Sequence, residues 1–480
     1  MMHTGQIDAT TLRYARGWLL TRDHAHDDVP QHWLQRSLPN GWSLWSDRSL
    51  SVAMVDGDQW LALIGHAVDL DAGTADTIEV ATRLAAALRH SRDEFLTTID
   101  RLAGRHAIVH GDTAGTHVLN DATGMRAVHF APGANVAGSH AKLVAHHSRR
   151  CEPSPASLPG TRELLKYGWP GRSTAWTGVQ VLTPNTELDV TTGKVRRFHP
   201  RTGPTQLSVE VARRVVMNDL ERHGKALVGR QPISVSLTAG LDSRATLAAL
   251  LSMTQDIEFF TYHAGPAHDV DVEVATTIAA RLGLRHEVLA VTDRSTDDAL
   301  QFREVLRDNS QYVHHPGLAD AYRRRFGEPD RLHIRSNLGE IGRLFYQPAN
   351  DRLRPCTPVS LAAAYAGGRE ALATNPAVLD AFAEYAHHSN LADGHGYDPY
   401  DLLYWEHRMG AWHASVVMES DPAFDTTVLW NSRRTLSTLL GVDRAHRKSG
   451  AVFRGLIAEH LPEVADVAIN PKRTVSVSRL

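Results

Sequence analysis

Residues 237–244 read Leu-Thr-Ala-Gly-Leu-Asp-Ser-Arg and fall where an apolar β-type run gives way to helical spacing. A loop at such a junction aims backbone N–H groups and hydroxyls at an anion, and the dipole of the following helix favours negative charge there. Thr238 and Ser243 suit phosphate oxygens, Gly240 suits close backbone approach, and Asp242 suits the magnesium ion that accompanies a nucleotide. No GxxxxGK[ST] string occurs, so this is not a Walker loop. Taken alone, so short a motif is more simply an Asp-Ser helix cap behind a core strand.

Its surroundings change that balance. The string resembles the pyrophosphate-binding loop SGGxDS of the asparagine synthase superfamily. Phe260-Thr261-Tyr262, then 269–273 and a helical run ending Leu282-Gly283, are similar to that family's second strand and helix, which close over the adenine. Residues 338–346, LGEIGRLFY, resemble its second phosphate loop, GGDELFGGY. Asp401, Arg408 and residues 412–419 resemble the D...DR...LE pattern of its C-terminal helices, and Pro471-Lys472 falls where a catalytic lysine is found.

The resemblance implies a parallel-sheet ATP pyrophosphatase domain with a helical C-terminal part, and ATP with Mg2+ as the cofactors. It implies that Leu237, Thr238, Ala239, Gly240, Leu241, Asp242, Ser243, Tyr262 and Gly339 hold the nucleotide, with Asp242 and Glu340 on the metal. Lys472, Glu340, Glu419, Arg244 and Arg343 are the implied catalytic set. Two departures stand out: Ala239 replaces a glycine, which needs a negative φ to be accommodated, and Glu340 replaces an aspartate. The general base stays open. In the preferred register Asn337 takes its place, a shifted register gives it to Glu340, and Glu419 is a third candidate that could equally be an interhelical ion pair.

The N-terminal half also carries a resemblance, since Gly104-Arg105 through Phe130 looks like part of a class II glutamine amidotransferase domain. That implies an Ntn-hydrolase-like αββα sandwich, here degenerate. Such domains need an N-terminal cysteine, whereas position 2 is Met and no cysteine precedes Cys151. The layout is similar to β-lactam synthetases and lasso-peptide cyclases, in which the amine comes from the substrate. Protein supplied with glutamine is therefore expected to release no glutamate above background, and any excess would reveal another nucleophile.

The elements that would position these residues follow from patterning. Residues 107–110, Thr116–Asn120 and 126–130 are short β-type runs between turn clusters, predicting an antiparallel meander, with further runs at 179–182 and 187–190. A helix is expected over 77–90, one of only one or two in this half. The stretch 198–204, with two prolines and a glycine, places a boundary between residues 1–203 and 204–480. Beyond it an amphipathic segment spans 208–223. Runs at 233–237, 243–251, 257–262, 269–282 and 286–291 then alternate strand and helix, with Gly283 as a helix stop. That order predicts a parallel sheet with helices on both faces and ligands at the carboxyl ends of its strands.

Composition bounds the function. At 480 residues, 42% hydrophobic and 22% charged, the chain fits two globular domains and excludes a disordered or fibrous class. A formal charge of -3 offers no net attraction for nucleic acid, and no apolar run is long enough to span a membrane. The polar start of the chain predicts a cytoplasmic protein. Two distant cysteines define neither a disulfide framework nor a zinc site, and the 28 histidines lack metal-binding spacing. The expected partner is a small molecule or peptide bearing a carboxylate and an amine. Two rivals remain: an amidating enzyme fed by free or externally supplied ammonia, and a catalytically dead nucleotide-binding scaffold.

Overall fold

A computed structural model describes residues 9–22, 29–154, 167–327, 330–346 and 355–471. The first half contributes β1 (Trp18–Thr21), β2 (Leu34–Ser37), β3 (Ser43–Ser46), β4 (Val52–Val55) and β5 (Trp60–Asp69). It continues with β6 (Leu102–Gly111), β7 (Thr116–Asn120), β8 (His129–Ala131), β9 (Val136–Gly138), β10 (Gln180–Val181), β11 (Thr186–Asp189) and β12 (Val195–Arg197). They form two antiparallel sheets, ordered β10-β8-β9-β1-β3-β2 and β12-β11-β7-β6-β5-β4. Trp18, Leu20, Leu44 and Phe130 of the first sheet share a buried core with Trp60, Ile64, Val109 and Val118 of the second. On its other side the second sheet packs against the helices Thr77–His90 and Arg92–Arg101, and the first against Ala141–His147.

Two expectations for this half change. The runs 107–110 and Thr116–Asn120 do pair antiparallel, but the third does not continue the meander. The Asp121 carboxylate accepts hydrogen bonds from the backbone of Thr123, Met125 and Arg126. That turn swings the chain across, so β8 joins the opposite sheet. Helices also outnumber the expectation: Ser91 ends one and caps the next by accepting from Glu94 N, so the helix at 77–90 is followed at once by another.

The second half holds β13 (Ile233–Ser236), β14 (Ile257–His263), β15 (His286–Ala290), β16 (Leu332–Ile334) and β17 (Asp425–Thr427). All pair in parallel, in the order β15-β14-β13-β16-β17. Alternation along the strands explains the two-sided covering: Phe259 faces one core and Phe260 the other. The first core takes in the helices Val209–Leu227, Leu241–Leu250, Asp269–Leu282 and Ala451–His460, and the second the helix Pro316–Phe326. Ser208 caps the first of these helices, and Gly283, at φ 64°, ends Asp269–Leu282 in the left-handed region that favours glycine. Among the described residues no helix is long and apolar enough to cross a membrane.

Buried ion pairs join the two halves. Arg105 donates from Nη1 to Asp421 Oδ1 at 2.5 Å and from Nη2 to Asp421 Oδ2 at 2.8 Å, and Arg126 Nη2 reaches Asp425 Oδ2 at 3.0 Å. Arg197 grips Glu406 with both Nη atoms, at 2.5 and 2.8 Å. Glu406 lies on a π-helix, Leu403–His413.

Candidate functional site

In a doubly wound sheet, ligands bind outside the carboxyl ends of the strands where the strand order reverses. Here that point lies between β13 and β16, the neighbours from which the chain proceeds outward in both directions. Two loops leave the sheet there, residues 237–240 after β13 and residues 335–338 after β16.

The first loop is built as its sequence predicts. Leu237 is buried and holds the sheet register through Phe260 O, while Thr238 and Gly240 remain partly open. Thr238 and Ser243 join their hydroxyls at 3.0 Å, and Ser243 Oγ also donates to Thr238 O at 2.9 Å, closing the turn. Ala239 N donates to Asp271 Oδ1 at 2.8 Å, so the helix Asp269–Leu282 braces the loop. Ala239 is outside the left-handed region, so its methyl is accommodated. Gly240 has an ordinary φ of -80°, and an added Cβ would meet only Thr238 Oγ1, at 3.4 Å, and Asn470 Oδ1, at 3.8 Å. Glycine there is dispensable to the empty fold.

Gly339 is different. A Cβ on it would lie 2.7 Å from Asp242 Oδ1 and 2.6 Å from Phe453 Cε1. The second loop can touch the first only because this residue has no side chain. Gly339→Ala is expected to push Asp242 and Phe453 apart and cost about 1–3 kcal/mol, checked by denaturant unfolding. A variant as stable as wild type would show that the two loops are loosely joined.

The named cations and acids are distributed unevenly. Arg244 is fully buried and donates to Val467 O at 2.6 Å and to Ala468 O at 2.5 Å, tying down the C-terminal segment rather than facing a ligand. Asn470 N adds a bond to Ala239 O, so that segment lies against the phosphate-type loop. Lys472 lies outside the described residues. Arg343 Nη2 is 2.6 Å from Asp242 Oδ1 and 4.0 Å from Glu340 Oε1. Burial pushes the Asp242 carboxyl up to about 6 against the opposing pull of Arg343. Glu340 accepts a hydrogen bond from the Tyr404 hydroxyl.

A guanidinium thus already occupies the space between the two proposed metal carboxylates. Among the described residues no group of three His, Cys, Asp or Glu side chains could hold a metal ion. As arranged, the pair does not fit a magnesium ion held by the protein alone.

Glu419 is buried and accepts from His314 N at 2.7 Å, His314 Nδ1 at 2.7 Å and His315 N at 2.9 Å. It braces the turn before the helix Pro316–Phe326, and its partner lies on a loop rather than on a second helix. Tyr262 sits at the end of β14, its ring 4.9 Å from that of His268. Asp401 pairs with Arg447 at 2.7 Å, and Arg408 lies over Tyr167, Phe345 and Trp412, so both serve packing. Sequence reading missed Arg335, Ser336, Tyr404 and His314. Arg335 could have been flagged as the first residue after Leu332-His333-Ile334, since the residue past a strand's carboxyl end lies at the ligand edge of a parallel sheet.

No protein-family model and no curated protein matches the chain. Among solved structures, it is similar to glutamine phosphoribosylpyrophosphate amidotransferase from B. subtilis complexed with ADP and GMP, at 10% identity and a TM-score of 0.24, over 60% of this chain. The chain spans 62% of that protein's length. A second is described as the allosteric regulatory enzyme of purine biosynthesis, at 8% identity and a TM-score of 0.25, over 75% of this chain and 74% of that one. Likenesses this slight carry no functional argument.

Proposed function

We propose that this chain is an ATP-consuming ligase of asparagine-synthase type, which adenylates a substrate carboxylate and lets an amine attack the acyl-adenylate. The observation that carries the reading is the meeting of two loops at the reversal point of a parallel sheet, with Asp242, just past the first, packed against Gly339, just past the second. In this reading a carboxylate oxygen attacks the α-phosphorus of ATP and pyrophosphate leaves toward residues 238–243. The amine nitrogen then attacks the acyl carbon, loses a proton, and AMP departs. The protein supplies orientation and positive charge where charge develops. Magnesium would have to be held largely by the phosphates of ATP, and Asp242 and Glu340 would meet it only with Arg343 displaced from between them. Lys472, which follows in sequence the segment held by Arg244, is the proposed catalytic cation.

Residues 1–203 are proposed as a glutaminase-like domain of Ntn type without its nucleophile, and residues 204–480 as the synthetase domain. The amine then comes from the substrate, a small molecule or peptide. A second reading, a nucleotide-binding scaffold without catalysis, is favoured by one observation: Arg343 already neutralises Asp242. Pyrophosphate release from ATP over a panel of carboxylic acids separates the two, with and without free ammonia. Acid-dependent release supports the ligase, dependence on ammonia points to an amidating enzyme, and none with any acid leaves the scaffold.

A further inference from the structure

The arginines that the motif resemblance brings forward are committed, Arg244 to backbone carbonyls and Arg343 to Asp242. Arg335 is not. It is the first residue past β16, and its backbone N donates to Thr427 O at 2.9 Å, fixing where the side chain leaves the sheet. Val235 of β13 pairs with Ile334, so Arg335 emerges beside the strand that leads into Thr238. Its Nε donates to Asn337 Oδ1 at 2.6 Å, which holds the guanidinium plane. Among the described residues no carboxylate comes within 4.0 Å of that guanidinium. Arg331, one strand-length earlier, has Glu258 at 2.8 Å.

The neighbours cannot supply the missing charge. Burial, reinforced by Arg335, holds His333 at about 3 and His413 well below the usual imidazole range, so both are neutral. Burial likewise lowers His315, against the pull of Glu419. Glu419 itself is spent on His314 and the His315 backbone. Tyr322, from the helix packed against this edge, is a neutral phenol pushed out of the physiological range by burial. Two buried polar atoms beside this edge, Ser336 Oγ and His268 Nδ1, have no hydrogen-bond partner. A part-buried cation with no carboxylate partner among the described residues, beside a hydroxyl and an imidazole nitrogen that lack partners, suits an anionic ligand.

We infer that Arg335, with Ser336, binds the carboxylate of the acyl substrate. The inference rests on the ligase reading for the identity of that substrate, but not for the existence of the anion site. With Nε occupied, the two Nη groups form a planar fork that matches two carboxylate oxygens, which a lysine cannot reproduce. Arg335 would thereby present the acid beside the loop that receives pyrophosphate.

The test uses the full chain, ATP, and a panel made of the twenty proteinogenic amino acids and their N-acetyl derivatives. It compares wild type with Arg335→Ala and Arg335→Lys, all checked for fold by circular dichroism. For any acid that supports ATP–pyrophosphate exchange, Arg335→Ala is expected to raise KM for the acid roughly fiftyfold with KM for ATP unchanged, and Arg335→Lys to recover only part. A rise in KM for ATP instead would assign the residue to phosphate and overturn the inference, as would unchanged KM for both. Acid-induced thermal stabilisation, measured without ATP, keeps the two readings apart. If acids stabilise wild type but not Arg335→Ala while no exchange occurs, the carboxylate site stands and the ligase reading falls. If no acid in the panel supports exchange and none stabilises wild type, or stabilisation is equal in Arg335→Ala, the carboxylate site falls.

Discussion

Replacing Asp242 by asparagine is expected to lower acid-dependent pyrophosphate release by roughly a thousandfold, the upper range for loss of one group that stabilises developing charge, here by way of the magnesium that would accompany ATP. The same change is expected to leave the fold at least as stable as wild type. The activity expectation rests on the proposed reading of the loop, and the stability expectation on burial. Burial raises the Asp242 carboxyl from 3.8 to about 6, so the folded protein disfavours its ionised form. A carboxyl whose folded pKa is raised favours folding when protonated, and that contribution is lost as pH climbs from about 4 through 6. At neutral pH the ionised group is therefore a cost to the fold, offset in part by Arg343. Asparagine carries no such cost. The stability gap between variant and wild type should be widest near pH 7 and close as pH falls below about 4, as followed by thermal melting. Near-normal pyrophosphate release by a folded variant would remove the proposed role of this loop.

The second large effect is structural. Glu406→Leu is expected to destabilise the protein by about 3–5 kcal/mol, the cost of leaving one member of a buried ion pair unpaired. Glu406 is completely buried and accepts from both Nη atoms of Arg197, from Asn185 Nδ2 at 3.1 Å and from the Tyr385 hydroxyl at 3.3 Å. Arg197 keeps only the Ser389 and His199 carbonyls when its carboxylate is removed. Because an apolar pair of similar volume often does as well as a buried ion pair, Arg197→Met with Glu406→Leu should recover most of the loss. Urea unfolding of the two single variants and the double variant measures this coupling. A double variant that is merely the sum of the singles would mean that the two side chains act independently.

Local pattern carried the elements of this fold further than their assembly. The helix at Asp269–Leu282 and its Gly283 stop, the helix at Thr77–His90, and the strand-to-helix junction at 237–241 all follow from periodicity and capping residues, which act over a few positions. β16 and β17 escaped because each has three residues, too few for any period to register. Without them the reversal point of the sheet could not be located, and Arg335 had no reason to stand out. The fate of Arg244 was equally hidden, since its partners Val467 and Ala468 are carbonyl oxygens more than two hundred positions away and carry no side-chain signal. For Glu419 the motif marked the residue, but only the tertiary contact identified His314 as the group it holds.

The pairing of Arg105 with Asp421 also sets a clock for synthesis. The two residues are 316 positions apart. At about 5–20 residues per second, Asp421 is made roughly 16–63 s after Arg105. Throughout that interval β6 carries an arginine that will be almost wholly buried, and Arg126 likewise waits for Asp425. Until the residues around the parallel sheet's last strand are made, neither arginine has the carboxylate it holds in the finished fold. A ribosome that stalls between residues 203 and 421 would hold a first half in which Arg105 and Arg126 both lack their carboxylate partners.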